Sequence, residues 1–238
     1  MKLRLYLFAI LLAFASPTIA FDESMSARLR SLAEQGNRAA QYHLGMLYNN
    51  GIGSVTKDPK KAFAWFQKSA EGNDPLGAYK LGCYFAGQFP GVVAVDEDRA
   101  YSYKLIAAKA GYSLAQSDVA IISYKRGDYE RAATWWKLAA DQGNAIAAYN
   151  LANLHGSGRV GPVDHAMAYA YFKLSKLISE KSVSASAQTT LTLLAAKMSP
   201  QELERAEQFV ASWEEKRSDL TVQAQAPAGA IAALLSGQ

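Results

Sequence analysis

The residues with the strongest chemical connotation are Gly156-Ser157-Gly158-Arg159-Val160-Gly161, which spell a Gly-x-Gly-x-x-Gly dinucleotide fingerprint letter for letter. That motif holds a pyrophosphate only where it follows a strand and opens a helix, because the phosphates sit on backbone N–H groups at the helix N-terminus. Here it follows a helical stretch, and Gly158 stands where Gly51 stands in Asn50-Gly51-Ile52-Gly53, so it reads as an inter-helix turn. The three histidines, His43, His155 and His165, form no His-Glu-x-x-His, and no Cys-x-x-Cys occurs, which leaves a zinc ion without ligands. They read as surface or packed side chains. A serine nucleophile needs a base in reach and a strained turn to expose it, and no Gly-x-Ser-x-Gly is present. The acidic pairs Asp96 with Asp98 and Glu202 with Glu204 fall on predicted helix starts, where carboxylates favour the helix dipole. The expectation is no catalytic residue, no metal and no cofactor.

The chain that must position these residues has 238 of them, 50% hydrophobic and 19% charged, enough to bury a sizeable core and too apolar for a disordered chain. Twenty-five Lys and Arg against 21 Asp and Glu give +4, which falls to +2 without Lys2 and Arg4. No basic block is present, so nucleic acid is not an expected partner. Met1 to Arg4 is short and positive, Leu5 to Ala15 carries no charge, and Pro17-Thr18-Ile19-Ala20 ends in a small residue with another two places earlier. This is the pattern of a secretory signal peptide, 1–20, with cleavage expected after Ala20. Ser16-Pro17-Thr18 interrupts the apolar run short of the ~20 residues a membrane span needs, so no stable anchor is expected after cleavage, and the mature chain is expected to be periplasmic or secreted. The lone Cys83, set among Leu81, Gly82, Tyr84 and Phe85, can form no internal disulfide and reads as a small apolar residue.

Internal repetition sets the architecture. Gly36, Gly72, Gly111 and Gly143 each close a helix-like stretch, at spacings of 36, 39 and 32. Eight residues after three of them, and nine after Gly72, an apolar residue precedes a small one: Leu44-Gly45, Leu81-Gly82, Val119-Ala120, Leu151-Ala152. An Ala then precedes an aromatic by three in every unit: Ala62 and Trp65, Ala100 and Tyr103, Ala132 and Trp135, Ala168 and Tyr171. Three positions is close to one helical turn, so each pair shares a face. A period of this length means a solenoid whose units bury their apolar faces only by stacking. Each unit reads as two helices, the first ending near Tyr48, Phe85, Arg126 and His155, the second starting near Pro59, Glu97, Asp128 and Asp164. Asp58-Pro59 and Asp74-Pro75 place a capping carboxylate before a proline.

These residues resemble the Sel1-like repeat family, a relative of tetratricopeptide repeats. Its pattern of Tyr-x-Leu-Gly-x-x-Tyr, a glycine-rich turn, Lys-Ala-x-x-Trp and Ala-Ala-Glu-x-Gly is met well between Tyr42 and Gly72. The second unit carries an insertion around Gln88-Phe89-Pro90-Gly91, the third replaces the Gly-x-Gly loop with Gly127-Asp128, and in the fourth His155 stands where an aromatic is expected. The resemblance implies an all-α, right-handed α-solenoid of helix-turn-helix repeats over 21–181. It also implies a solenoid adaptor, many bacterial members being exported. Cysteine-rich relatives credited with β-lactamase activity carry a disulfide in each repeat, and Cys83 alone removes that analogy.

Beyond the repeats, 182–217 reads as capping helices, the second opened by the capping box Ser199-Pro200-Gln201-Glu202 and running to about Arg217 with Leu203, Ala206, Phe209, Val210 and Trp213 on one stripe. From 218 to 238 only Asp219 is charged, and Ala, Gln, Gly and Pro dominate, which reads as a disordered tail. What remains for function is surface. In the tetratricopeptide architecture the first helices line the concave face, where His43, Lys80, Asp118 and Asn150 form one row and Met46, Cys83, Ile121 and Asn153 a second. These rows vary while the core positions repeat, as a groove reading an extended or helical protein segment would. The leading expectation is a non-catalytic periplasmic adaptor or regulator of an envelope signalling or polysaccharide pathway. The alternatives are an envelope assembly factor that binds glycan or cell-wall material, and a hydrolase acting on cell-wall or β-lactam substrates.

Overall fold

The computed structural model describes residues 23–180 and 183–237, so the segment expected to be a signal peptide and its expected cleavage point after Ala20 lie outside the described residues. The described residues form thirteen helices and no strand. An opening helix α1 (Glu23–Glu34) precedes four pairs: α2 (Arg38–Asn50) with α3 (Pro59–Glu71), α4 (Pro75–Phe85) with α5 (Glu97–Lys109), α6 (Ser113–Lys125) with α7 (Tyr129–Asp141), and α8 (Ala145–Gly156) with α9 (His165–Glu180). Then come α10 (Ala185–Ala195), α11 (Pro200–Ser212), α12 (Asp219–Gln225) and α13 (Pro227–Ser236). Each of the nine helices α1 to α9 packs on the next, and α10 and α11 close the stack against α9.

Local chemistry explains the boundaries. Asp58 accepts a hydrogen bond from the Lys61 N–H at 3.0 Å and Asp74 one from the Leu76 N–H at 2.8 Å, each ahead of a proline that needs no partner for its missing N–H. Three inter-repeat turns pass through a left-handed glycine, Gly36, Gly111 and Gly143, at φ of 91°, 97° and 80°. At the second turn the left-handed residue is Asn73, φ 60°, while Gly72 has φ −76°. Counting from Asn73 places Leu81 eight residues on, as in the other three units, so the extra residue in the spacing marks a shift of the left-handed position. Asn tolerates that conformation because its short polar side chain adds little clash.

Stacking depends on the small residue of each first helix. A Cβ on Gly45 would sit 2.6 Å from the Phe66 ring, and one on Gly82 would sit 2.7 Å from Lys104 and 3.0 Å from the Ala100 carbonyl. Ala120 is wholly buried and Ala152 nearly so at the corresponding positions. In the adjacent pairs Trp65-Phe66 and Trp135-Trp136 the second ring lies deepest, Phe66 and Trp136 being buried and Trp65 and Trp135 half-buried, whereas in Tyr171-Phe172 the first ring is the buried one. The phase predicted from Ala62 and Ala132 therefore needs shifting by one residue in those two units, while that predicted from Ala168 stands. Phe66 packs against Tyr42 and Tyr84, and His155 stacks on Tyr171 at 5.7 Å and 12°, doing in the fourth unit what the missing aromatic would do.

Two expectations for the C-terminal region need correction. α11 stops at Ser212, short of Arg217, because Trp213 turns extended (ψ 131°) and the chain crosses back until the Lys216 N–H meets the Asp141 carbonyl at 2.7 Å. The segment after 217 is not a disordered tail: it forms α12 and α13. It is ordered by docking rather than by propensity, since seven and ten residues are too few for a stable isolated helix. Ser218 and Thr221 carry the docking. The Ser218 hydroxyl donates to the Gly111 carbonyl at 2.8 Å, the Thr221 hydroxyl donates to Gln142 Oε1 at 2.7 Å, and Ile231 and Leu235 join the core formed by α1 to α6.

Candidate functional site

The first helices α2, α4, α6 and α8 carry the two rows expected to form a groove, and the structure divides those rows into three regions. At the α2 end His43 is only 2% exposed, because α12 and α13 lie over it. Its ring borders an open cavity of about 450 Å³ whose other walls include Asp219, Val222, Ala226, Gly229 and Ala230. Burial pushes the imidazole pKa down to about 4. Met46, below it, is half-buried against the core.

The sign of the pH effect at His43 follows from that depression. Above pH 6.5 the side chain is neutral in folded and unfolded chains alike and contributes no pH dependence. As pH falls from 6.5 toward 4 the unfolded chain takes up the proton first, so the fold loses up to about 3 kcal/mol across that window. Asp219 is the charged group that shares the cavity. Urea unfolding of wild type and His43→Phe at pH 7.0 and 4.5 measures this: the wild type should lose more stability than the variant, and equal losses would place the titrating group elsewhere.

In the middle, Lys80, Cys83 and Asp118 surround a residue that the row analysis missed. Lys104 occupies the repeat position held elsewhere by Phe66, Trp136 and Phe172. Its stem packs where their rings pack, against Gly82, and its ammonium emerges to pair with Asp118 at 2.6 Å. The Lys104 side chain is 12% exposed and that of Asp118 29%, and the Tyr79 hydroxyl reaches the same carboxylate at 3.5 Å. Burial pulls the Lys80 ammonium pKa down and pushes the Cys83 thiol up, the nearby Lys104 opposing the latter. Asp118 is therefore already committed inside the protein, and Cys83 is buried. Ile121 packs half-buried on the core of the third and fourth pairs. A cleft of about 370 Å³ bounded by Glu97, Lys104, Asp118, Ile121 and Arg126 opens beside this cluster.

The α8 end stays open. Asn150 is half-buried and Asn153 exposed, and neither side chain makes a hydrogen bond among the described residues. Asn153 borders a cleft of about 360 Å³ with Tyr149, Phe172, Thr190 and Leu194, between α8, α9 and α10. The rows also miss exposed apolar side chains on the first helices: Ile146 (65% exposed) and Tyr149 (44%) on α8 itself, and Leu114 (47%) on α6. Leu114 and Ile146 precede the apolar-small pair by five residues, the position of Ala39 and Leu76, but Leu76 is buried there, so the repeat register alone does not mark them as exposed. The fingerprint runs from Gly156, the last residue of α8, into the α8–α9 turn, where Gly158 and Gly161 take φ of 69° and 122° and no strand precedes them. Among the described residues no group of three His, Cys, Asp or Glu is placed to hold a metal ion, and no helix is long and apolar enough to cross a membrane.

A family profile described as Sel1 repeat matches residues 38–74, 75–112, 114–144 and 145–176, more than half of the chain and each close to one turn-to-turn unit. A sel1-like repeat-containing protein of Acanthamoeba polyphaga mimivirus, L21, is 27% identical over 146 residues, 60% of this chain and 26% of that protein. The chain thus spans about a quarter of the length of this curated relative. Among solved structures, a protective antigen of uropathogenic Escherichia coli displaying an SLR fold is similar with a TM-score of 0.64 and 26% identity, over 83% of this chain and 42% of that one. A Sel1 repeat protein from Oxalobacter formigenes is similar with a TM-score of 0.60 and 27% identity, over 80% of each chain.

Proposed function

The chain belongs to the Sel1 repeat family, whose members generally serve as non-catalytic protein–protein interaction scaffolds, and from that premise we propose that it is an exported adaptor gripping a protein segment on the first-helix face. Export rests on the charge and hydropathy pattern of residues 1–20, which favours a periplasmic or secreted location. A regulatory role in an envelope signalling or polysaccharide pathway fits that location.

The observation that carries the binding reading is that exposed Ile146 and Tyr149 share α8 with Asn150 and Asn153, whose amides make no hydrogen bond among the described residues, while Leu114 is exposed at the equivalent position of α6. Apolar side chains next to solvent-accessible amides suit an amphipathic or extended peptide, which supplies both burial and hydrogen bonds. Lys80 lies along the same face, whereas Lys68 and Lys137 lie on the second helices α3 and α7.

A photo-crosslinking scan in cells tests the reading. Discrete protein adducts are expected from positions 114, 146 and 150, and none from 68 and 137. Adducts of equal yield from both sets would remove the first-helix face as the binding surface.

A further inference from the structure

The tail helices run from Ser113 and Gln142, ahead of or at the starts of α6 and α8, to Arg28 and His43 on α1 and α2, and indicate what kind of partner that strip receives. Four observations bear on it. First, Asn37, Asp74 and Asn144 cap α2, α4 and α8 with their own side chains, but Tyr112 at the start of α6 provides no side-chain cap. The Ser113 N–H is satisfied instead by Thr221 Oγ1, from 108 residues away, at 3.0 Å. Second, Gln142 acts as a receptor: its Nε2 donates to the Gly111 carbonyl and to Gln116 Oε1, which leaves its Oε1 to accept from the Ser218 N–H at 3.0 Å and the Thr221 hydroxyl. Third, Arg28 of α1 donates to the Leu235 carbonyl at 2.6 Å, closing the end of an incoming helix. Fourth, the tail fits imperfectly. Its Ala226, Gly229, Ala230 and Ala233 leave the cavity of about 450 Å³ unfilled, and His43 Nδ1 is buried there with no hydrogen-bond partner.

A docking site that is capped, accepted and clamped by the tail, yet leaves one buried polar atom unpaired, is better satisfied by another helix. We propose that α12–α13 is a displaceable placeholder, and that its site takes a partner protein's uncharged apolar helix. That helix opens with a Ser-x-x-Thr-like hydroxyl pair and carries a larger amide or hydroxyl residue opposite His43. The inference rests on the protein-binding reading above and extends it to the strip that the tail covers, from Ser113 to His43. Selectivity follows from displacement: a helix that only copies the tail competes with a segment already tethered in place, whereas one that fills the cavity and pairs His43 gains contacts the tail lacks.

The experiment uses the full chain and a fluorescent peptide of sequence 216–238, followed by anisotropy. Two released variants are prepared, Ile231→Asp with Leu235→Asp, and Thr221→Val, both altered only in the tail so that the receiving residues stay intact. The peptide should bind each released variant at least about tenfold more tightly than wild type, because wild type offers only its small open fraction. A peptide carrying Ala230→Asn should bind the released variants about threefold tighter still, a gain lost on adding His43→Phe. Equal affinity for wild type and released variants would overturn the placeholder role, and an Ala230→Asn peptide that gains nothing would overturn the assignment at His43. A concentration-dependent dimer of the released variants, seen by light scattering, would make the occupant the tail of a second copy and overturn the proposed partner class. These readouts need no cellular partner, so they fail or succeed independently of the crosslinking scan.

Discussion

Phe66→Ala should lower the unfolding free energy by about 3–5 kcal/mol, the range for removing a fully buried aromatic ring, and should do so across the whole stack. Phe66 is 0% exposed and lies between Gly45 of its own pair and Tyr84 of the next, with ring centroids 6.0 Å apart. The void therefore opens at the seam between two repeats, where a solenoid has no other layer to compensate. Chemical denaturation followed by circular dichroism measures the loss. A loss near 1 kcal/mol would mean that the seam collapses around the missing ring and that the small-residue register is not what holds the pairs together.

Asp118→Leu should cost about 2 kcal/mol, and adding Lys104→Met should recover most of it. The single change leaves the Lys104 ammonium, reached through a stem packed where other repeats bury an aromatic ring, without its partner 2.6 Å away. Removing one member of a largely buried pair strands the other, whereas replacing both with apolar side chains of similar size is often neutral or stabilising. The partial exposure of both groups keeps the penalty below that of a fully enclosed pair. Thermal unfolding of the two single variants and the double variant completes the cycle. Additive losses would show that the two charges act independently. The same geometry bears on binding studies, because replacing Asp118 disturbs a structural pair and confounds any change in partner capture.

The helix pairs were legible because stacking imposes one requirement at each unit, a small residue facing a large one, and that requirement survives as Leu44-Gly45, Leu81-Gly82, Val119-Ala120 and Leu151-Ala152. The irregular spacing at Gly72 was legible as an irregularity, but that Asn73 holds the left-handed position depends on backbone geometry. The candidate site was legible in part. The rows include Asn150, half-buried, and Asn153, exposed, but they missed Lys104, whose charge hides it among core aromatics, and Leu114 and Ile146, which look like core residues and are not. The tail was unreadable for a different reason. Its short helices have little intrinsic stability, and their order comes from Gln142, Gly111, Ser113 and Arg28, up to 207 residues away in the chain.

The central claim, that the first-helix face is where this scaffold holds a protein, is tested most directly by placing a photo-reactive residue at position 150 and adding Leu114→Arg with Ile146→Arg. Both leucine and isoleucine are already solvent-exposed, so the double variant should melt within a few degrees of the parent. On this account it keeps its fold and loses the position-150 adduct. An adduct of undiminished yield from a folded double variant would contradict it.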